Sequence, residues 1–209
     1  MFLLAGLGAY FAGFPARAAD LDAGGLTFRD FAVNDNGASF NRIASGPNQV
    51  SSRVAVVDSG QGLARVQFGS IKVELALPLG WQATEDWERG VAYSGDKRYR
   101  LIVWRVDFAF EGVKDAEHYA ATKTGSIQAR RPSIQAQARK LGDGTFLIVY
   151  ENAPKGPGDS EARTVFDLVT QRPGNPKEGI LMTLGVPASD AARGLKLLAL
   201  LKQNMRINW

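Results

Sequence analysis

Strict alternation of apolar and polar positions is the strongest pattern in the chain. Ile71, Val73, Leu75 and Leu77 alternate with Lys72, Glu74 and Ala76, which predicts a strand ended by Pro78-Leu79-Gly80-Trp81. Residues 53–57 and 63–68 read as two more strands, joined through 58–62. Residues 90–93 and 98–108 predict a hairpin around Ser94-Gly95-Asp96-Lys97. The run Leu101-Ile102-Val103-Trp104 is apolar at every position, which predicts a central strand covered on both faces. Residues 134–141, 145–150, 163–170 and 180–184 predict further strands, with turns at 142–144 and 172–179 and an exposed loop at 153–160. Nearer the N-terminus, 28–33 fits one short strand between irregular stretches rich in Gly, Asn and Ser.

Two helices are expected. Asp115 fits an N-cap, followed by a helix from Ala116 towards Arg131 that Pro132 stops. Ser189 is placed to cap a C-terminal helix with Asp190 in its first turn. Leu195, Leu198, Leu201 and Met205 form its apolar stripe, widened by Leu197 and Leu200. Hairpin connections dominate, so the fold class is α+β. A single antiparallel sheet is expected, sandwiched between helices, with the C-terminal helix packed on it. The expected core contains Leu101, Val103, Trp104, Phe146, Ile148, Val165, Leu168, Leu195, Leu198 and Leu201.

Residues 1–14 carry no charge, and Pro15-Ala16-Arg17-Ala18-Ala19-Asp20 follows. An apolar stretch before Ala-Arg-Ala predicts a signal peptide over 1–18, cleaved after Ala18 or Ala19. The stretch is shorter than the roughly 20 residues that a spanning helix needs. A retained anchor and a buried cytosolic helix are the alternatives. The expected organisation is a signal peptide at 1–18, an N-terminal extension at 19–63 and an α+β domain at 64–209. The expected location is periplasmic or secreted, with no transmembrane span in the mature chain.

Composition narrows the chemistry. The 209 residues contain no cysteine and one histidine, His118, which excludes disulfides, thiol chemistry and Cys/His zinc sites. The net charge of +4 is too small for purely electrostatic nucleic-acid binding. His118 stands beside Glu117 with no Gly-x-Ser-x-Gly elbow in the chain, so a Ser-His-Asp triad is not expected. Ser94 and Lys97 match Ser-x-x-Lys only across a hairpin tip, not at a helix start. Gly60-Gln61-Gly62 lacks the third glycine of a dinucleotide fingerprint. Asn34-Asp35-Asn36-Gly37 has Ala32 where a calcium loop needs Asp, and reads as a turn.

Two segments retain binding potential. Trp81 and Trp87 stand with Glu85, Asp86 and Glu88, a grouping that could serve a sugar or a glycosidase pair. Trp81 follows a strand and reads as core, whereas Trp87 between two acids reads as exposed. Arg130, Arg131, Arg139 and Lys140 form the densest basic region, with no acid between Glu117 and Asp143.

The element order resembles the PsbP/Mog-type fold. The carrying pieces are the strand before Leu77-Pro78-Leu79-Gly80-Trp81, the 98–108 strand, the helix near Asp115, the 144–150 and 163–170 strands, and the helix after Pro187. The resemblance covers roughly residues 66–209. It implies a binding or assembly accessory, often exported in bacteria and usually without catalysis, and it transfers no particular partner.

The combined expectation is an exported, non-catalytic module that binds an envelope protein or assembly. Trp87, Arg130 and Arg131 are the expected partner-binding residues. No catalytic residue, metal ligand or cofactor is expected, and no nucleic-acid partner. An envelope hydrolase acting through carboxylates and a small-ligand-binding protein are the alternatives.

Overall fold

The computed structural model describes residues 20–33, 42–43, 53–156 and 158–209. The expected signal peptide, the turn at Asn34-Asp35-Asn36-Gly37 and most of the irregular stretch at 39–52 lie outside the described residues. The strands are β1 (Arg42–Ile43), β2 (Arg53–Asp58), β3 (Leu63–Phe68), β4 (Val73–Pro78), β5 (Gln82–Glu85), β6 (Arg89–Tyr93) and β7 (Arg100–Asp107). Helix α1 (Ala116–Arg130) precedes β8 (Gln135–Lys140), β9 (Phe146–Ala153), β10 (Arg163–Arg172) and β11 (Asn175–Pro187). Helix α2 (Ala191–Gln203) and β12 (Arg206–Ile207) close the chain.

The fold is α+β, but with two sheets where one was expected. Eight strands run in the order β1-β5-β6-β7-β11-β10-β9-β8, and four in the order β12-β4-β3-β2. Pairing is antiparallel apart from β1 with β5. The chain changes sheets at Pro78-Leu79-Gly80-Trp81. Leu79 N–H donates to Gly62 at 2.9 Å, Gly80 takes φ +83°, and the fully buried Trp81 indole donates to the Phe31 carbonyl at 3.3 Å. Alternation specifies one buried face per strand. It does not say whether that face continues a sheet or lies against another, and here the second arrangement holds.

The large sheet is covered on both faces. On one face α1 lies over β8, β9 and β10. Phe108, Tyr119, Ala120, Ile134, Ile148, Tyr150 and Leu181 form that core. The opposite face packs Leu101, Val103, Leu147, Phe166, Leu168, Met182 and Leu184 against α2 and the small sheet. Leu21, Phe28, Phe31, Val66, Phe68, Val73, Leu75 and Leu77 join this second core. β7 and β11 pair centrally, with Leu101 opposite Leu184.

Most of the expected core is buried, but Trp104, Val165 and Leu195 are only partly so. Trp104 sits on β7, two strands from the region beneath α1. Val165 stands opposite Gly185, which offers no side chain to cover it. Leu195 lies at the margin because α2 also touches β4 and the Phe28–Phe31 turn, which centres its buried face on Gly194, Leu197, Leu198 and Leu201.

Three local expectations change. Residues 28–31 form a 3-10 helix instead of a strand. The Asp30 carboxylate accepts Thr27 N–H at 2.7 Å, closing a capping box that favours the turn, and Phe28 and Phe31 both reach the core. Ser189 does not cap α2. It lies in the 3-10 turn Ala188–Asp190, and its hydroxyl donates to Glu161 at 2.7 Å. The turn between β10 and β11 is also tighter than 172–179, because Arg172 already pairs with Asn175.

Candidate functional site

Trp87 lies in the short turn between β5 and β6, with 69% of its surface exposed. Asp86 shapes that turn. Its backbone N–H donates to the Arg89 carbonyl at 3.0 Å. Its carboxylate accepts Glu88 N–H at 3.0 Å, Arg89 N–H at 2.9 Å and Arg89 Nε at 3.1 Å. Burial acts to raise the Asp86 pKa, but the hydrogen bonds from Glu88 and Arg89 outweigh it and hold the carboxyl below its ordinary value. The indole therefore projects from a braced backbone.

The three carboxylates around Trp87 do not converge. Glu85 is only 1% exposed, and its Oε1 accepts Ser70 N–H at 2.6 Å and contacts the Ser70 hydroxyl. Asp86 is used by its own turn, and Glu88 is exposed. A glycosidase pair needs two carboxylates facing one bond, and this segment does not supply them.

Arg130 and Arg131 end α1. Arg130 folds back on Ser126, donating from Nε to the carbonyl at 3.2 Å and from the guanidinium to the hydroxyl at 2.6 Å. Arg131 is the exposed C-cap. The structure does not bring these arginines to Trp87. The turn after β5 and the start of β8 are six strand spacings apart across the sheet, which is roughly 29 Å at about 4.8 Å per strand.

Other sequence candidates have structural occupations. His118 Nδ1 accepts Lys114 N–H at 3.3 Å, and His118 N–H donates to Asp115 at 2.8 Å, so this residue belongs to the start of α1. Ser94 is buried in its hairpin and accepts Tyr99 N–H at 2.9 Å, while Lys97 takes φ +59° at the tip. At Gly62 an added Cβ would meet Arg29 at 2.5 Å, so that glycine admits the Phe28–Phe31 turn.

Two features escaped the sequence reading. Phe110 is 90% exposed in the turn after β7, at the same end of the sheet as Trp87. Asp107 holds this turn by accepting Ala109 and Phe110 N–H at 2.9 and 3.1 Å. Beside it a cleft of about 270 Å3 is lined by Glu111, Val113, Tyr119, Lys123, Ile127 and Arg130 among others. The signal in the sequence was Asp107 with Gly112, a turn pair straddling Phe108-Ala109-Phe110.

The second feature is a polar cluster beneath α1. Asp167 is 2% exposed and accepts the Tyr150 hydroxyl at 3.1 Å and the Thr183 hydroxyl at 2.5 Å. Lys123 approaches it at 3.8 Å and donates to the Tyr119 hydroxyl at 2.9 Å. Burial, then the Asp167 charge, raises the Tyr150 pKa. Burial works to lower the Lys123 pKa, but Asp167 and Tyr119 raise it overall. These groups are joined to one another by hydrogen bonds and an ion pair. An aspartate inside Val165-Phe166-Asp167-Leu168-Val169 was the available clue.

No protein-family model matches the sequence, and no curated protein matches it. Among described residues, no helix is long and apolar enough to cross a membrane. Similar solved structures include the Ran-binding protein Mog1p of Saccharomyces cerevisiae, at TM-score 0.48 and 12% identity, over 69% of this chain and 95% of that one. Cyanobacterial PsbP (CyanoP) from Synechocystis sp. PCC 6803 matches at TM-score 0.51 and 17% identity, over 78% of this chain and 100% of that one. With α1 and α2 on opposite faces of its large sheet, the chain has the Mog1/PsbP fold.

Proposed function

We propose that this protein is an exported, non-catalytic accessory module that binds another protein of the cell envelope, with Trp87 as its principal anchor. The carrying observation is an indole 69% exposed on a turn braced by hydrogen bonds of the Asp86 backbone and carboxylate. Exposed tryptophan is the residue type most enriched at interface hot spots, and a braced backbone lowers the ordering cost of binding. Arg130 and Arg131 belong to a second contact region on the far edge of the sheet. The hydrolase alternative draws no support from Glu85, buried on Ser70, or from Asp86, which is bonded into its own turn.

The test is quantitative crosslinked capture from the native host, comparing the wild type with Trp87→Ala and His118→Ala. Trp87→Ala is expected to weaken capture of the wild-type partner by at least about tenfold, the scale of a modest hot spot. His118→Ala is expected to leave it unchanged. Undiminished capture by Trp87→Ala would refute the anchor. Loss of biological function in a folded His118→Ala variant would refute the non-catalytic reading. Mass spectrometry of the protein from its host should find the N-terminus at Ala19 or Asp20, and intact Met1 in the cytosol would overturn export.

A further inference from the structure

Among the described residues the large sheet ends at β8, which pairs on one side only, with β9. In an antiparallel ladder each residue points its N–H and C=O to the same side, and successive residues alternate. The Ala136 carbonyl accepts Gln128 Nε2 at 2.9 Å, away from β9. Leu141 N–H donates to Thr145 at 2.7 Å, towards the β9 side. Both observations place even-numbered residues of β8 outward. Ala138 and Lys140 thus present backbone donors and acceptors along an open edge.

The side chains suit an incoming strand. Ala138 is exposed and small, so another backbone can approach closely. The Lys140 ammonium lies 5.5 Å from the Phe146 ring centroid, to one side of the edge. Gln128 already occupies the Ala136 carbonyl and so limits pairing at that end. The surroundings are basic. Arg130 and Arg131 lead into β8, and Arg139 and Lys140 close it. The nearby acids are otherwise placed: Asp20 accepts Gly142 N–H at 3.2 Å, Lys202 holds Asp143, and Glu151 opposes Gln135 one strand inward. A second copy of β8 would set like charges together, whereas an acidic strand would complement them.

We propose that β8 receives an extended, acidic segment of a partner protein by strand addition, with Ala138 and Lys140 supplying the backbone hydrogen bonds. This rests on the reading of the protein as a binding module and names the chemistry of its partner at a surface remote from Trp87.

The probe is a capped synthetic peptide alternating glutamate and valine, titrated into the isotope-labelled full chain. A lysine-for-glutamate peptide is the control. Saturable shifts and slowed hydrogen exchange are expected at the Ala138 and Lys140 amides, with none from the control. Ala138→Pro removes one outward N–H while leaving the ladder to β9 intact, as edge prolines do, and should abolish binding. Should that variant fail to fold, Arg130→Glu with Arg131→Glu keeps the edge and should weaken binding about tenfold or more. Failure of the wild type to bind, equal binding of the lysine peptide, or full binding by the folded proline variant or by the charge variant would each overturn the proposal. Such failure alongside a continued effect of Trp87→Ala on partner capture would remove strand addition alone. Loss of both effects would remove the binding-module reading with it.

Discussion

The Tyr150 hydroxyl donates to the Asp167 carboxylate at 3.1 Å, across neighbouring strands and beneath α1. Tyr150→Phe keeps the ring and removes the donor from a buried carboxylate. The expected loss is about 1–3 kcal/mol of unfolding free energy. Urea denaturation would measure it as a lower midpoint with an unchanged slope. A loss below about 0.5 kcal/mol would mean that another group replaces the hydroxyl.

Gly125 and Gly194, which lie in α1 and α2, should respond oppositely to alanine. Gly125 has open space where a Cβ would sit, so Gly125→Ala should stabilise by about 0.5–1 kcal/mol through helix propensity. At Gly194 an added Cβ would stand 2.9 Å from both Val186 methyls, so Gly194→Ala should cost about 1–3 kcal/mol. Thermal melts of the two variants would show the opposite signs. Equal shifts would refute the close approach of α2 to β11.

Leucines on α2 differ in their burial. Leu198 is fully buried, whereas Leu195 is partly exposed. Leu198→Ala should cost about 2–5 kcal/mol, and Leu195→Ala clearly less. Matching losses in chemical denaturation would mean that the helix is rotated from the orientation described.

Asp159 supplies an acid-dependent contribution. Hydrogen bonds from Arg163, two at 2.5 Å, and from Gly156 N–H at 2.6 Å lower its pKa from 3.8 to about 2. A carboxyl depressed on folding adds stability that is complete above its unfolded pKa and lost as pH falls through the folded value. The stability difference between wild type and Asp159→Asn should hold constant above about pH 5 and shrink between about pH 4 and pH 2. A difference independent of pH across that window would show that the ion pair contributes nothing.

Much of the fold can be read in local pattern. The alternation over 71–77 marks β4, the unbroken Leu101-Ile102-Val103-Trp104 run marks a central strand, and Asp115 marks the start of α1. What stays hidden is relational. Gln82–Glu85 is too short and too polar to announce β5, and Arg206–Ile207 forms β12 only because β4 waits for it. The same holds for the candidate surfaces. Trp87 between acids is legible as exposed, and Phe110 is not, because it stands among apolar residues beyond a strand that Asp107 turns. The separation of Trp87 from Arg130 and Arg131 follows from strand order, which local chemistry does not encode.

The pairing of β7 with β11 also governs time. Positions 101 and 184 must meet before the large sheet becomes continuous. The hairpins β8–β9 and β10–β11 close locally, but β7 must search for its neighbour across α1 and three strands. Closing so long a loop comes before the contacts that compensate for it, which places folding in the slow range for its size, on the order of milliseconds to seconds. During that interval the edge of β7 that will face β11 stays unpaired, and Leu101 lacks its partner until Leu184 arrives.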